Sequence, residues 1–479
     1  MRMKYCFLTF LFIAIAYLAN GQSPGNVWTL KQCIDTAVVN NIQLRKSNTN
    51  VQLSEVDLKQ SKDNRIPSLN ANASQNFSSG RSIDPFTNQY VTNNIFSNNF
   101  SLSSGLVLFN GFQNRNTIRQ NSINTNAANY DALAIQNDVI VNVLNGYLQV
   151  LYAYEQVDLS FEQVNTVQKQ LQQTQSLVRA GKKTITDLYK LEAQAASDSM
   201  NLVKAENNLR MAKVNLMQIM NIPVYDAFEV EQIKIENINL ELPEESIQEI
   251  YAKALTVMPE IKSSELKKES SLIGLQIRKG GMSPRLSISG NIGTGYSSAR
   301  DLVTYHVRSE TIPIGYLQNN PSQVVVADQQ IRTATSGAYP YFDQLNDNLS
   351  KSLSLNLSIP ILNNRQVKNN IQRQKLQIQQ ADLDLENTKN GLRKEIEQAY
   401  TDVKNAKMNY EAARHQLKYA ERAFKNIQSK YEMGLGTSVD LQMENNNYLK
   451  AKSDLLNAQY QYYFNLQLLE VYKGNQPGV

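Results

Sequence analysis

Apolar and polar positions along this chain follow two different periods, and each period occurs twice. From Trp28 to about Arg65, apolar residues recur at helical spacing (Leu30, Ile34, Ala37, Val38, then Val51, Leu53, Val56, Leu58), which predicts a helix. Pro67 ends it, because proline disfavours helical geometry in the residue before it. The period then drops to two. Leu69, Ala71, Ala73 and Phe77 share one parity, and Ser68, Asn70, Asn72, Ser74 and Asn76 the other. After a polar loop from Gly80 to about Asn94, Phe96, Phe100, Leu102, Leu106 and Leu108 alternate with Ser97, Asn99, Ser101, Ser103 and Val107. This predicts a β-hairpin over about 68–109 with one apolar and one polar face. From Gln113 to about Ala180 no proline occurs and only Gly146 interrupts, so a long helix follows, with a return helix from about Thr184 to Met220.

The second half repeats this order. Leu30 to Cys33 through Ile66 to Leu69 aligns with Ile247 to Ile250 through Ser283 to Leu286 at a constant offset of 217 (284 − 67). Leu108-Phe109-Asn110-Gly111 aligns with Ile361-Leu362-Asn363-Asn364, and Arg179-Ala180-Gly181 with Glu432-Met433-Gly434, at a constant offset of 253 (434 − 181). Leu286, Ile288 and Ile292 alternate with Ser287, Ser289 and Asn291; Leu353, Leu355, Leu357, Ile359 and Ile361 alternate with Ser352, Ser354, Asn356, Ser358 and Pro360. In the second long helix Tyr410, Ala413, Leu417, Ala420, Phe424, Ile427 and Tyr431 step by three and four, a heptad seam for helix packing, matched in the first copy by Val164, Val167, Leu171 and Val178. Nearly 70 helical residues make a rod of roughly 100 Å. Such regular duplication implies repeated units arranged around an axis.

The expected organisation is therefore a first repeat over 22–221, an equatorial connector over 222–245, a second repeat over 246–474 and a tail over 475–479. The second repeat holds a hairpin over about 285–361 and a helical hairpin over about 365–472. Pro223 and Pro243 and the lack of a helical period mark the connector, with room for short strands. An insertion between Ile292 and Leu349, most of it over about 298–348, carries Pro313, Pro321 and Pro340 and no period of its own, and reads as a long exposed loop.

Composition narrows the compartment. Arg2 and Lys4 precede an apolar stretch from Cys6 to Leu18 and small residues at Ala19 and Gly21, the pattern of an export signal over 1–21. Cys33 is then the only cysteine of the mature chain, which excludes an internal disulfide. No stretch of 18 apolar residues follows, so the exported chain has no transmembrane helix; a soluble protein and a β-barrel membrane protein both remain. The net charge of +5 is spread over both signs and forms no basic stripe, which excludes nucleic acid as a partner. Catalysis has no carrier: His306 lies in the insertion and His415 on a rod helix, neither with a Cys or acidic partner at metal-ligand spacing, and no phosphate loop or nucleophile elbow occurs. No catalytic, cofactor or metal residue is assigned.

Alternation alone also fits a half-buried sheet of a soluble sandwich, but sandwiches do not carry such helices. The strands run about 10 residues, enough to cross a bilayer when tilted, and Phe77, Phe96, Phe100, Phe109 and Tyr296 near their ends suit an interfacial girdle. Four strands cannot close a barrel, and open edges are not viable in lipid. Closure needs several chains; two would give eight strands, with a filled interior, and three would give twelve, wide enough for water. The rival reading is an exported coiled-coil structural or adhesive protein without a pore.

Pro67 and Leu69, Leu108-Phe109-Asn110-Gly111, Leu177-Val178-Arg179-Ala180-Gly181 with Thr184 and Asp187-Leu188, and Tyr431-Glu432-Met433-Gly434 with Thr437-Ser438-Val439-Asp440-Leu441 occur in order and in both copies. This set resembles the TolC-type outer membrane efflux protein family from about Leu30 to Gly474. The resemblance implies a mainly α protein with transmembrane β: a homotrimer in the outer membrane, each subunit giving four strands to a 12-stranded β-barrel and long helical hairpins to a periplasmic α-barrel. It implies an exit duct for a tripartite efflux pump or type I secretion system, docked to a periplasmic adaptor protein and an inner membrane transporter of RND or ABC type, and needing no cofactor.

Gly181 and Gly434 stand where each long helix stops, as glycines that permit a left-handed cap. The resemblance makes these tips the adaptor contacts: Leu177, Arg179, Ala180, Gly181 and Lys182 on one, and Met433, Gly434, Leu435 and Gly436 beside Tyr431 on the other. Asp187 and Asp440 begin the return helices, where carboxylates suit the helix N-terminus. In a symmetric oligomer an inward carboxylate becomes a ring that attracts cations. The resemblance implies such a ring at Asp440 and a closing contact between Asp187 and Tyr431. Where the family often has a second acid one turn later, this chain has Met443 with Glu444 beside it, and the basic residue often found before the return helix is replaced by Gly436.

Overall fold

The computed structural model describes residues 27–83, 88–92, 94–232 and 244–475. The expected export signal, residues 233–243 of the connector and nearly all of the tail lie outside the described residues. In chain order the elements are β1 (Val27–Trp28), α1 (Leu30–Asn40), α2 (Ile42–Asp63), β2 (Ser68–Ser78), β3 (Arg81–Ile83), β4 (Tyr90–Thr92), β5 (Ile95–Asn110), α3 (Gln113–Arg179) and α4 (Ile185–Ile219). Then come β6 (Glu229–Val230), α5 (Ile247–Val257), α6 (Pro259–Gly280), β7 (Arg285–Ser297), β8 (Asp301–Leu317), β9 (Asn320–Ala338), α7 (Tyr341–Asp347), β10 (Ser350–Ser358), α8 (Gln366–Glu432) and α9 (Ser438–Tyr472). Paired elements have equal lengths: α3 and α8 have 67 residues each, α4 and α9 have 35 each. At 1.5 Å per residue α3 and α8 are each about 100 Å long.

Backbone packing divides the chain into two units, one of residues 1–58, 120–272 and 376–479, the other of 59–119 and 273–375. The first unit is helical and has two cores. In one, Cys33 and Ala37 of α1 meet Val139, Val143 and Val150 of α3 and Leu216 of α4. In the other, Ile250 and Ala254 of α5 meet Leu392, Ile396 and Val403 of α8 and Leu469 of α9. These are equivalent positions in the two copies. Tyr462 and Tyr463 of α9 point to different cores, so one helix is buried in both. Each large side chain buried this completely contributes roughly 1.5–3 kcal/mol. Cys33 is one of those core positions, and burial pushes its thiol up to about 12, which leaves no reactive thiolate. Around the first core β1 pairs in parallel with β6, the short strand of the described part of the connector, and the Tyr147 hydroxyl donates to the Glu231 carbonyl at 2.8 Å.

The single helix expected from Trp28 to Arg65 is broken at Asn41. Asn41 is extended (φ −61°, ψ 122°) and its side-chain oxygen accepts from the Leu44 amide at 3.0 Å, so one residue ends α1 and caps α2. The second copy breaks at the equivalent Met258, where Pro259 opens α6 with the fixed φ that suits a first helical residue.

The second unit holds a four-stranded antiparallel sheet in the order β10-β7-β5-β2, so the two copies meet at β5 and β7. Its register sorts the faces across all four strands. Ala71, Leu102 and Ile292 lie in one row, which ends at Lys351 on β10, and Leu106, Ile288 and Leu355 in another on the same face; Asn70, Ser103, Asn291 and Ser352 line up on the opposite face. The apolar row is out in the open: Leu69, Leu353 and Leu355 are 69%, 77% and 65% exposed. The alternation expected through Leu108 fails there. A bulge between Val107 and Phe109 lets Phe109, not Leu108, pair with Leu286. β10 ends at Ser358, short of the Ile361 suggested by pattern, because Pro360 cannot donate to a ladder.

The insertion is not a structureless loop. β8 and β9 form an antiparallel ribbon of 17 and 19 residues, and α7 follows on β7. Its β-branched and aromatic residues, such as Val303, Tyr305, Val307 and Val324 to Val326, carry the strand propensity that the prolines concealed.

The passage from sheet to helix is the tightest point. Gly111 (φ 65°) and Phe112 (φ 62°) are both left-handed, as are Asn364 (φ 50°) and Arg365 (φ 60°) in the second copy. A Cβ on Gly111 would lie 2.4 Å from the Gly280 carbonyl oxygen, and one on Gly280 would lie 2.5 Å from the Gly111 carbonyl oxygen. Gly391, inside α8, has open space around it. Gly111→Ala should therefore destabilise the fold by about 2 kcal/mol or more. Gly391→Ala should stabilise it by up to about 1 kcal/mol. Thermal unfolding of the detergent-extracted protein orders the two on either side of the parent; equal melting of parent and Gly111→Ala contradicts this account of the junction.

Candidate functional site

The helical tips are built alike by local sequence. α3 ends in a Schellman cap: Lys182 donates its amide to the Leu177 carbonyl at 2.8 Å, Gly181 to that of Val178 at 3.0 Å, and Gly181 is left-handed at φ 69°. α8 ends the same way, with Leu435 on the Lys430 carbonyl at 2.9 Å, Gly434 on that of Tyr431 at 3.0 Å, and Gly434 at φ 77°. Each return helix then opens on a capping box. The Thr184 hydroxyl donates to the Asp187 carboxylate at 2.8 Å and accepts from the Asp187 amide at 3.2 Å; Thr437 and Asp440 do the same at 2.7 and 3.2 Å. Both candidate gate carboxylates thus have a structural role, fixing where α4 and α9 begin.

Between the hairpins lies a cavity of about 80 Å³, room for two or three waters, with Thr174, Asp187, Lys190, Gln194, Tyr431 and Asn445 among its walls. Asp187 and Tyr431, the expected closing pair, therefore face the same space. Asp440 and Glu444 are not among its walls; both are half-buried on α9, while Met443 between them is 55% exposed.

Lys183 supplies a contact that sequence reading missed. Its ammonium sits 3.7 Å from the centroid of the Tyr431 ring and hydrogen-bonds the Tyr431 hydroxyl, tying the turn of the first hairpin to the end of α8. Burial lowers the Lys183 pKa below the ordinary lysine value, partly opposed by the Asp187 carboxylate. Lys183 occupies the place equivalent to Gly436, so the basic residue absent before α9 stands before α4 instead. Gly436 itself lies close under the backbone of Tyr431, where a Cβ would come within 3.2 Å of the Tyr431 nitrogen.

The adaptor-contact candidates form the outermost surface of the tips. Arg179, Ala180, Gly181, Lys182 and Gly434 are exposed, as are Met433 (67%) and Leu435 (77%); Leu177 is partly withdrawn into the cavity wall and Gly436 is half-buried. Exposed large apolar groups at a turn otherwise made of glycine and charge suit a protein partner.

Behind the tip, α3, α4 and α9 share a buried polar network that no motif announced. The Asp198 carboxylate, 5% exposed, accepts from the Gln163 amide at 3.0 Å and the Gln194 amide at 2.7 Å, and Asn445 donates to the Gln163 side-chain oxygen at 3.2 Å. Burial raises the Asp198 pKa, and the two amide donors only partly offset it. Phe424 stacks on Tyr448 nearby in the seam, with ring planes 3° apart. Among the described residues no group of His, Cys, Asp and Glu could hold a metal ion, and no helix is long and apolar enough to cross a membrane.

Comparison with known proteins gives this geometry a context. A sequence model of the outer membrane efflux protein family matches residues 33–221 and 250–475. The chain is 22% identical over 459 residues to the outer membrane protein TolC of Escherichia coli (strain K12), covering 94% of this chain and 82% of that protein. Among solved structures, CusC superposes with a TM-score of 0.72 at 16% identity, covering 93% of this chain and 91% of CusC. VceC of Vibrio cholerae gives 0.70 at 15% identity, covering 93% and 95% of the two chains. The open state of the Neisseria gonorrhoeae MtrE channel gives 0.67 at 18% identity, covering 93% and 88%. The fold is that of these outer membrane channels.

The raised pKa of Asp198 sets a sign. A carboxyl easier to protonate in the folded state than in the unfolded chain costs no stability at pH below the ordinary aspartate range, and costs progressively more as pH rises through that range to the folded value. Asp198→Asn should therefore melt above the parent at neutral pH, with the gap closing in acid. A gap independent of pH contradicts a charged, desolvated Asp198.

Proposed function

The chain belongs to the outer membrane efflux protein family, and from that premise we propose that it works as a homotrimeric exit duct. In this reading three copies join their four-stranded sheets into a 12-stranded barrel in outer membrane lipid, and the paired hairpins form a hollow helical extension into the periplasm. The observation that carries it is the sorted sheet: one face is Ser and Asn on all four strands, and the other holds the Leu, Ile, Ala and Phe residues, interrupted by Ser104 and, towards the end away from the helices, by Gln75, Asn98, Thr294 and Lys351, while the outer edges of β2 and β10 have no partner strand among the described residues. Lipid accepts the first face, water the second, and only further strands complete the edges. The Phe77–Phe96 and Tyr296–Tyr341 ring pairs at one end and Phe109–Phe112 at the other suit aromatic girdles. An exported coiled coil without a pore gives no reason for a sheet sorted in this way.

At the periplasmic end the tips close the duct and dock a periplasmic adaptor, which joins it to an inner membrane transporter of RND or ABC type in a tripartite pump or type I secretion system. Lys183 and Tyr431 hold the two hairpins together; three copies of Asp440, backed by Glu444, ring the opening and attract cations. The duct itself is passive, and its cargo follows the transporter.

Planar bilayers test the gate. Lys183→Ala and Tyr431→Ala should each raise single-channel conductance above that of the parent, and Asp440→Asn should weaken block by polyvalent cations. Parent-like conductance in both tip variants, with unchanged block in Asp440→Asn, contradicts the gate. For docking, Gly434→Pro distorts the left-handed cap and should abolish crosslinking to the adaptor while leaving a heat-modifiable oligomer on gels; normal crosslinking removes the tips as the contact.

A further inference from the structure

The β8–β9 ribbon is the largest feature the duct reading leaves unused. It leaves the sheet where β7 ends, at the strand ends that are not joined to the long helices, and returns through α7 to β10. Its root is built to hold it. The Gln344 side chain, 1% exposed, accepts from the Ser297 amide at 3.1 Å and donates to the Ser297 and Tyr339 carbonyls at 3.1 Å. Asn348 donates to the Gly295 carbonyl at 2.6 Å and accepts from Arg300. A ribbon anchored by that many directed bonds leaves the sheet in a fixed direction.

Beyond the root the ribbon changes character half-way. Arg308, Glu310, Asp328 and Arg332 mark the proximal half, where Arg308 pairs with Glu310 at 2.8 Å. From Ile312 to Ala327 no charged residue occurs. Pairing there puts Ile312 beside Ala327 on one face and Pro313 beside Val326 on the other, and Tyr316 beside Val324 past the bulge. Ile314, Tyr316 and Val326 are 62%, 68% and 54% exposed. The ribbon is thus apolar on both faces over this stretch, up to a polar turn of Gln318, Asn319, Asn320, Ser322 and Gln323. It also has two free edges, that of β8 blunted by Pro313 and its bulge, that of β9 running through Val324, Val325 and Val326 without a charge or proline. A two-stranded ribbon with nothing packed on it is marginal in water.

We infer that the distal half of this ribbon is a self-association surface, packing against the same segment of the neighbouring copies of this chain beyond the outer end of the barrel. The inference rests on the oligomeric reading above. Three facts favour a second copy as the occupant. Lipid does not suit the segment, because the turn at its end carries the amides of Gln318, Asn319, Asn320 and Gln323. A lone partner protein would cover one side, whereas a subunit in a closed ring has a neighbour on each. Ribbons rooted at equivalent places on one closed sheet are also held near one another, so that association needs only modest affinity. The three ribbons then form a collar over the mouth of the duct.

Cysteine crosslinking in intact cells tests this, in a Cys33→Ala background that removes the only other cysteine of the expected mature chain. Val325→Cys should form a disulfide giving a dimer-sized band on denaturing gels, and should lose labelling by a membrane-impermeant maleimide, whereas Ser309→Cys in the charged half should label and not crosslink. Val326→Cys serves if Val325→Cys fails to assemble, as judged by the heat-modifiable oligomer. An intact oligomer in which both distal cysteines label freely and neither crosslinks overturns the collar while leaving the duct standing. A crosslink to a different protein overturns it too. Absence of any heat-modifiable oligomer in the Cys33→Ala parent means that the duct reading has failed, and the collar with it.

Discussion

The unpaired outer edges of β2 and β10 constrain everything else. A sheet with an apolar face on one side and a hydroxyl and amide face on the other is stable between lipid and water, but its edge amides and carbonyls cannot be left in hydrocarbon, where each would cost several kcal/mol. One chain supplies four strands and cannot bend them into a closed cylinder. In the proposed duct, the same closure repeats the duplicated helical hairpins around one axis. The need to satisfy the backbone groups of the sheet is thus the reason the proposal requires several chains.

Duplication makes that assembly economical. The same helix lengths, caps and core positions recur in both copies, so each subunit presents two similar hairpins, and the differences between them become informative. Lys183 in one tip and Gly436 in the other is such a difference: the bulky cation of the first turn reaches the ring of Tyr431, and the bare glycine of the second leaves the backbone beneath that ring free of a side chain. A contact made by one cation–π pair and one hydrogen bond is worth a few kcal/mol at most, which suits the reversible gate proposed above. The Asp198 network behind it adds a buried carboxyl that has two amide donors and no salt bridge among the described residues. That arrangement gives directionality more than stability.

Much of this was legible in the sequence because it is periodic. A period of two over ten residues and a heptad seam over about six turns are large signals, and the matching offsets repeat them. What escaped was local or non-periodic. The break at Asn41 depends on one side chain capping the next helix, and the bulge at Leu108 on one residue slipping out of register. The ribbon was hidden because Pro313 and Pro321 suggested a loop, although proline is tolerated on the free edge of a strand pair. Lys183 reaches a residue 248 positions away, and Gln163 joins Asp198 of its own copy to Asn445 of the other; neither fact is carried by spacing. The tip carboxylates were readable as helix caps, and their geometry bears that out, while the gate role proposed for them depends on a symmetry that one chain does not contain.

Counting chains in the membrane-extracted complex tests the central claim most directly. Native mass spectrometry of the detergent-solubilised, lipid-stripped protein should give the mass of three mature chains, the number whose strands make a water-wide barrel. A complex of one or two chains, extracted from the membrane in folded form, would leave the edges of β2 and β10 with no partner strands to make that barrel, and would contradict the account.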